Sequence, residues 1–191
     1  MMTIREEAPP DIPARESLLD ACFGEGRFRK TCERLREGRK PADGLSLVLE
    51  NTAGDLLGTV RLWHVTAGPD RPALLLGPVA VDPSLQGLGL GSKLMREALD
   101  RVAVFGHRAI LLVGDAPYYA RFGFSADRTD RLWLPGPYER ERFLGLELQA
   151  GALAGGRGLV SATGVLDEKP DLATLVAAAA MDNRPDLRRA A

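Results

Sequence analysis

The chain has 191 residues, 45% hydrophobic and 27% charged, with a formal net charge of −1. That composition suits one domain, with or without a short appendage, and gives no electrostatic case for nucleic acid or an anionic membrane as main partner. The N-terminus has no apolar core of a signal peptide. The most apolar run, residues 172–181, is too short and Ala-rich to span a bilayer, so a cytoplasmic location is expected.

Residues 3–6 read as a short opening strand, broken by Ala8-Pro9-Pro10. Residues 13–22 predict a helix with Pro13 in its first turn and Leu18, Leu19 and Cys22 on one face. Residues 28–37 predict a second, strongly basic helix with Cys32 and Leu35 on its apolar side and Gly38 closing it. Residues 45–50 and 56–66 predict an antiparallel hairpin around the turn Asn51-Thr52-Ala53-Gly54-Asp55. Residues 73–81 are almost wholly apolar, as a central strand covered on both faces would be. Gly77-Pro78 inside that strand predicts a bulge or splay, because proline cannot donate to a ladder.

Leu90, Leu94, Ala98, Val102 and Phe105 then set a helical period over residues 89–105. Residues 109–113 predict another buried strand, 117–122 a short helix, and 124–125 and 131–134 strand-like pieces. Residues 143–148 predict a final strand. The order gives a mixed α/β domain rather than a regular βαβ alternation. After about residue 149 the composition turns Gly- and Ala-rich. Residues 1–150 are therefore read as the domain and 151–191 as an extension, packed in part, with a helix candidate at 171–181 and a frayed end at 183–191. Cys22 and Cys32 are expected as reduced thiols. With His64 and His107 far apart and no Cys/His cluster, no metal site is expected.

Chemistry concentrates in Val79-Ala80-Val81-Asp82-Pro83-Ser84-Leu85-Gln86-Gly87-Leu88-Gly89-Leu90-Gly91-Ser92. A buried strand ends at a proline turn, and a glycine-rich loop runs into a helix start. Such a loop leaves backbone N–H groups unpaired, and the helix adds the positive end of its dipole, a ready site for a pyrophosphate. The glycines alternate, so the spacing is neither the dinucleotide GxGxxG pattern nor a Walker loop. A plain strand-to-helix turn is the remaining alternative on local grounds.

Gln86-x-x-Gly89-x-Gly91 resembles the (Gln/Arg)-x-x-Gly-x-(Gly/Ala) signature of the GNAT superfamily of acetyl-CoA-dependent N-acetyltransferases. Gly114-Asp115-Ala116-Pro117-Tyr118-Tyr119-Ala120-Arg121-Phe122-Gly123-Phe124 resembles a later motif of one subgroup, which Leu134-Pro135-Gly136-Pro137 and Arg142-Phe143 also fit. The resemblance spans roughly residues 2–160. It implies a GNAT-like fold: a central, mostly antiparallel sheet, splayed at the cofactor strand and flanked by helices. It also implies acetyl-CoA as co-substrate, with no metal. Val79, Ala80 and Val81 would hold the acetyl and pantetheine. Gln86, Gly87, Leu88, Gly89, Leu90, Gly91 and Ser92 would hold the pyrophosphate, with Tyr118 and Phe122 alongside.

By position in that motif, Tyr119 is the implied acid that protonates the departing thiolate, with a packed ring as its bland alternative. Tyr118 is more of a packing residue. His64, Asp115 or a water could serve as base, and a backbone N–H near Val79 would stabilise the oxyanion. Arg121, Lys93 and Arg96 are candidate partners for the coenzyme's 3′-phosphate. The basic run 27–39 could cap an anionic substrate or form a solvated helix face. The expected reaction is direct acetyl transfer to a primary amine of a small molecule or peptide. A non-catalytic acyl-CoA-binding regulatory module of the same fold is the alternative, and a homodimer is possible. Net charge argues against acetylation of aminoacyl-tRNA.

Overall fold

Asn51 turns the first long hairpin. Its Oδ1 accepts from the N–H groups of Ala53 and Asp55, both at 2.9 Å, and this Asx turn joins β2 (Ser46–Glu50) to β3 (Leu56–Ala67). The computed structural model describes residues 2–167. The chain opens with β1 (Thr3–Glu6) and α1 (Ile12–Phe23). After the hairpin come β4 (Pro72–Val81), α2 (Leu90–Val104), β5 (Ala109–Val113) and α3 (Ala116–Ala120). The short β6 (Leu132–Trp133), β7 (Phe143–Glu147) and β8 (Gly158–Ala162) follow.

The sheet runs β1-β2-β3-β4-β5-β7. Every neighbouring pair on that path is antiparallel except β4–β5, which are parallel and connected by α2. β8 pairs with the far end of β3, beyond the reach of β2, in the register Val65↔Ala162. The result is a mixed α/β fold with a mostly antiparallel open sheet between helices.

The all-apolar strand is central. Leu74 and Leu76 pack with Leu94, Met95, Ala98 and Val102 of α2, while Leu75 faces Trp63, Leu111 and Phe143 on the opposite side. Each leucine buried this way contributes about 1.5–3 kcal/mol relative to exposure. Phe105, expected on the apolar helix face, lies just past the end of α2 and is half exposed.

Two expectations are corrected. Residues 28–37 do not form an α-helix. Two 3-10 turns, Glu25–Arg29 and Thr31–Leu35, are separated by Lys30 in an extended conformation (ψ 142°). Long-range anchors override the helical pattern: Thr31 Oγ1 donates to the Pro137 carbonyl, and Leu35 is buried beside Trp63. β7 is not the final strand, because β8 follows it and closes against β3. The helix candidate at 171–181 and the end at 183–191 lie outside the described residues. Cys22 and Cys32 are both free thiols.

Candidate active site

The site begins where β4 departs from regular pairing. β3 and β4 pair Leu62↔Leu76 and then Val60↔Val79, so Gly77 and Pro78 stand opposite Arg61 alone. Gly77 has φ +123°, a conformation that glycine accommodates, and its carbonyl accepts from Trp63 Nε1 at 2.8 Å. On the other edge, the β4–β5 ladder pairs Leu74↔Ile110 and Leu75↔Leu111 and then stops, although β4 continues to Val81 and β5 to Val113. The two strands part, and a wedge opens between them.

Beyond β4, Asp82 ends the strand. Its carboxylate accepts from Ser84 N at 2.8 Å and Ser84 Oγ at 2.6 Å, which starts a 3-10 turn and holds its own pKa low. The loop then enters α2 through Gly89, which is left-handed (φ +77°). The first intrahelical bond runs from Lys93 N to Gly89 O at 3.0 Å. Among the described residues, no backbone N–H from residues 86–92 donates to another protein group. These donors and the positive end of a 15-residue helix converge on one concave surface.

α3 closes the wedge from the β5 side. Asp115 caps it, accepting from Tyr118 N at 3.2 Å. Tyr118 reaches towards the loop: a Cβ on Gly91 would lie 3.1 Å from its hydroxyl. Tyr119 lies over Gly114, where a Cβ would be 2.1 Å from the ring, and meets Phe124 edge-on at 5.9 Å. Burial, then the neighbouring Tyr118 and Asp115, push the Tyr119 phenol up to about 12.

Two cavities of about 350 Å³ each meet here, and both are lined by Val79, Tyr118 and Tyr119. The first is the loop cleft. It brings together Val81, Gln86, Gly87, Gly89, Leu90, Gly91 and Ser92 of the sequence-predicted set, with Arg121 at its rim. Three predicted residues lie outside it. Ala80 turns to the opposite face of the sheet, against Leu18 and Leu19. Leu88 is 66% exposed, and Phe122 packs at a tilt against Tyr118 with ring centroids 5.6 Å apart. Of the other cations considered, Lys93 reaches the Met2 carbonyl and Arg96 lies over Phe122.

The second cavity opens on the 3-10 segment and includes Lys30, Glu33, Arg36, Asp115 and Arg142. His64 lines neither cavity. Its ring packs against His107 with centroids 5.4 Å apart, so it is not placed as the base. Glu33 and Arg36 are site-lining residues that residue-by-residue reading missed; the basic run 27–39 was their only signal. Among the described residues, no group of three or more His, Cys, Asp or Glu side chains is placed to hold a metal. No described helix is long and apolar enough to cross a membrane.

Residues 12–124 match the family described as the acetyltransferase (GNAT) family. The chain is 34% identical over 163 residues to the uncharacterised N-acetyltransferase YhbS of Escherichia coli, covering 83% of this chain and 95% of that one. The crystal structure of E. coli YhbS in complex with CoA superimposes with a TM-score of 0.70 at 32% identity, covering 85% of this chain and 89% of the other. A GNAT family acetyltransferase from Brucella melitensis, in complex with acetyl-CoA, gives a TM-score of 0.60 at 28% identity, covering 91% and 97%.

Proposed function

The chain belongs to the acetyltransferase (GNAT) family, and from that premise we propose that it transfers an acetyl group from acetyl-CoA directly to a primary amine. The acceptor is a small molecule or a peptide, and the reaction takes place in a ternary complex in the cytoplasm. The observation that carries this reading is the junction of the two cavities at Val79, Tyr118 and Tyr119. One substrate occupies each cavity, and the reacting atoms meet between them.

The residues fit acetyl-CoA. The free N–H groups of residues 86–92 and the α2 dipole hold the pyrophosphate. The unpaired edge of β4 holds the pantetheine arm by strand-like hydrogen bonds, and a backbone N–H near Val79 stabilises the carbonyl oxygen as it gains charge. The amine nitrogen forms a bond to the carbonyl carbon, the C–S bond breaks, and its electron pair leaves on sulfur. The amine's proton passes to a carboxylate of the acceptor cavity, Asp115 or Glu33, directly or through water. Tyr119 holds its proton throughout the physiological range and donates it to the departing thiolate, first as a hydrogen bond; the phenolate is then reprotonated from solvent as the carboxylate releases the amine's proton.

The test is incubation of the protein with acetyl-CoA and an amine panel. Thiol release and the mass of the acetylated product are followed, with Tyr119→Phe as control. Stoichiometric thiol and N-acetylated product support transfer. Tight acetyl-CoA binding without turnover of any amine would leave only a binding module.

A further inference from the structure

We infer that the acceptor carries an oxyanion, a carboxylate or a phosphate, a few bonds from its reacting amine, and that Arg36 and Lys30 recognise it. The inference rests on the transferase reading and names the substrate class for its second cavity.

Most buried guanidiniums among the described residues have a carboxylate within hydrogen-bond or close ion-pair distance. Arg15 pairs with Glu7 and Glu16, and Arg27 pairs with Glu16 and with Asp20 at 2.8 Å. Arg61 lies 3.4 Å from Glu7 and over the Trp63 ring. Arg36 is the exception. Its side chain is 11% exposed, and its one charged partner among the described residues, Glu33, stands 3.6 Å away, beyond hydrogen-bond distance. Its Nε is buried with no partner. Burial draws its pKa down, as it does for Arg61, and Glu33 opposes that only in part. A planar fork of unused donors is suited to an oxyanion.

Its location makes that vacancy useful. The guanidinium lies against the β4 bulge, where a Cβ on Gly77 would come within 3.0 Å of Nη2. The same Gly77 Cβ position is 4.0 Å from Val79 N, so Arg36 stands close to where the cavities meet. An oxyanion held at Arg36 therefore places an amine a few bonds away at the transfer point, the geometry of an amino acid or a short aminoalkyl phosphate. Lys30, on the same segment, lines the same cavity. Its ammonium lies 4.4 Å over the Phe23 ring and has no ion pair among the described residues. Arg142, across the cavity, stands at the same 3.6 Å from Glu139, but both side chains are about half exposed, so water already solvates that cation.

The experiment uses the full chain and matched acceptors: L-amino acids and β-alanine against their carboxamides, and phosphoethanolamine against ethanolamine. Acetyl-CoA affinity is measured in parallel by calorimetry. The expected result is kcat/KM at least about 30-fold higher for the anionic member of a pair, the cost of leaving a buried charge unmatched. The two arms separate carboxylate from phosphate. In Arg36→Met the preference collapses while acetyl-CoA affinity and melting temperature hold, and Arg36→Lys restores part of it. Preference for neutral amines, or a preference unchanged in Arg36→Met, overturns the inference while leaving the transferase reading intact. Failure of every amine to react, or of acetyl-CoA to bind, brings down the transferase reading and the inference with it.

Discussion

Replacing Tyr119 by Phe removes one hydroxyl and leaves the ring against Gly114 and Phe124. The phenol is raised by burial and neighbouring charge, and no protein hydrogen bond contributes to its shift. Its loss therefore deprives the fold of no hydrogen-bonded pair, and the melting temperature should stay within about 3 °C. The chemistry should suffer far more. A positioned acid contributes about 10²–10⁴-fold, so kcat should fall by that factor, equivalent to ~2.7–5.4 kcal/mol of barrier. KM for acetyl-CoA should change less than about threefold, because the hydroxyl acts on the leaving sulfur rather than on the bound coenzyme. With the phenol at about 12, it stays protonated at any pH below its ordinary value of 10. Wild-type kcat should accordingly show no descending limb between about pH 7 and 10. Steady-state thiol release against pH, beside thermal melts of both proteins, checks all of this. A variant that keeps kcat within about threefold of wild type would refute the acid role and leave Tyr119 as a packing ring.

Gly114→Ala would put a Cβ 2.1 Å from the Tyr119 ring, forcing the ring to move. A displacement on that scale should cost kcat about 10²-fold, with acetyl-CoA affinity retained in calorimetry. Gly68→Ala is the remote counterpart. Its Cβ would meet the Arg157 carbonyl oxygen at 2.3 Å at φ +82°, at the β3–β4 turn beside β8. Strain and overpacking together should destabilise by about 2–5 kcal/mol in denaturant melts, while surviving folded protein binds acetyl-CoA as wild type does. His107 is held below its ordinary pKa by burial and then by His64. A histidine kept neutral by the fold contributes stability that is present above about pH 6.5 and lost as pH falls. The melting temperature should drop from pH 7.5 to 5.5, and less steeply in His107→Gln.

Local rules explain which parts of this fold were readable in the sequence. The hairpin, β4, the glycine-rich loop and α2 follow from alternation, turn chemistry and a 3.6-residue period, each acting over a few neighbours. Gly77-Pro78 announced its irregularity because proline cannot join a ladder, and the register skips there. The loop from Gln86 and the Tyr118-Tyr119 pair were singled out independently, and the fold places them in one cleft. Where long-range contacts decide, reading by pattern failed. Residues 28–37 carry a helical period, yet Thr31 is tied to Pro137, over a hundred residues away in sequence. The glycines preceding β8 hid a strand whose partner, Val65, is far back in the chain. His64 sits close to the cofactor strand in sequence, but its strand register aims it at His107. That Arg36 lacks a matched carboxylate depends on how the other arginines are paired across β1, α1 and β3.

The central claim is that the loop cleft binds acetyl-CoA, and calorimetric titration of the wild-type protein beside a Gly89→Val/Gly91→Val double variant tests it most directly. Valine at Gly89 must adopt a left-handed backbone, and a side chain at Gly91 crowds the Tyr118 hydroxyl at 3.1 Å, so both changes fill the surface meant for the pyrophosphate. The expected wild-type affinity lies within the usual substrate range, on the order of 1 µM to 1 mM, and the variant, still folded by circular dichroism, should bind at least about a hundredfold more weakly. A folded wild type that binds no acetyl-CoA, or a variant that binds it equally well, would contradict the claim.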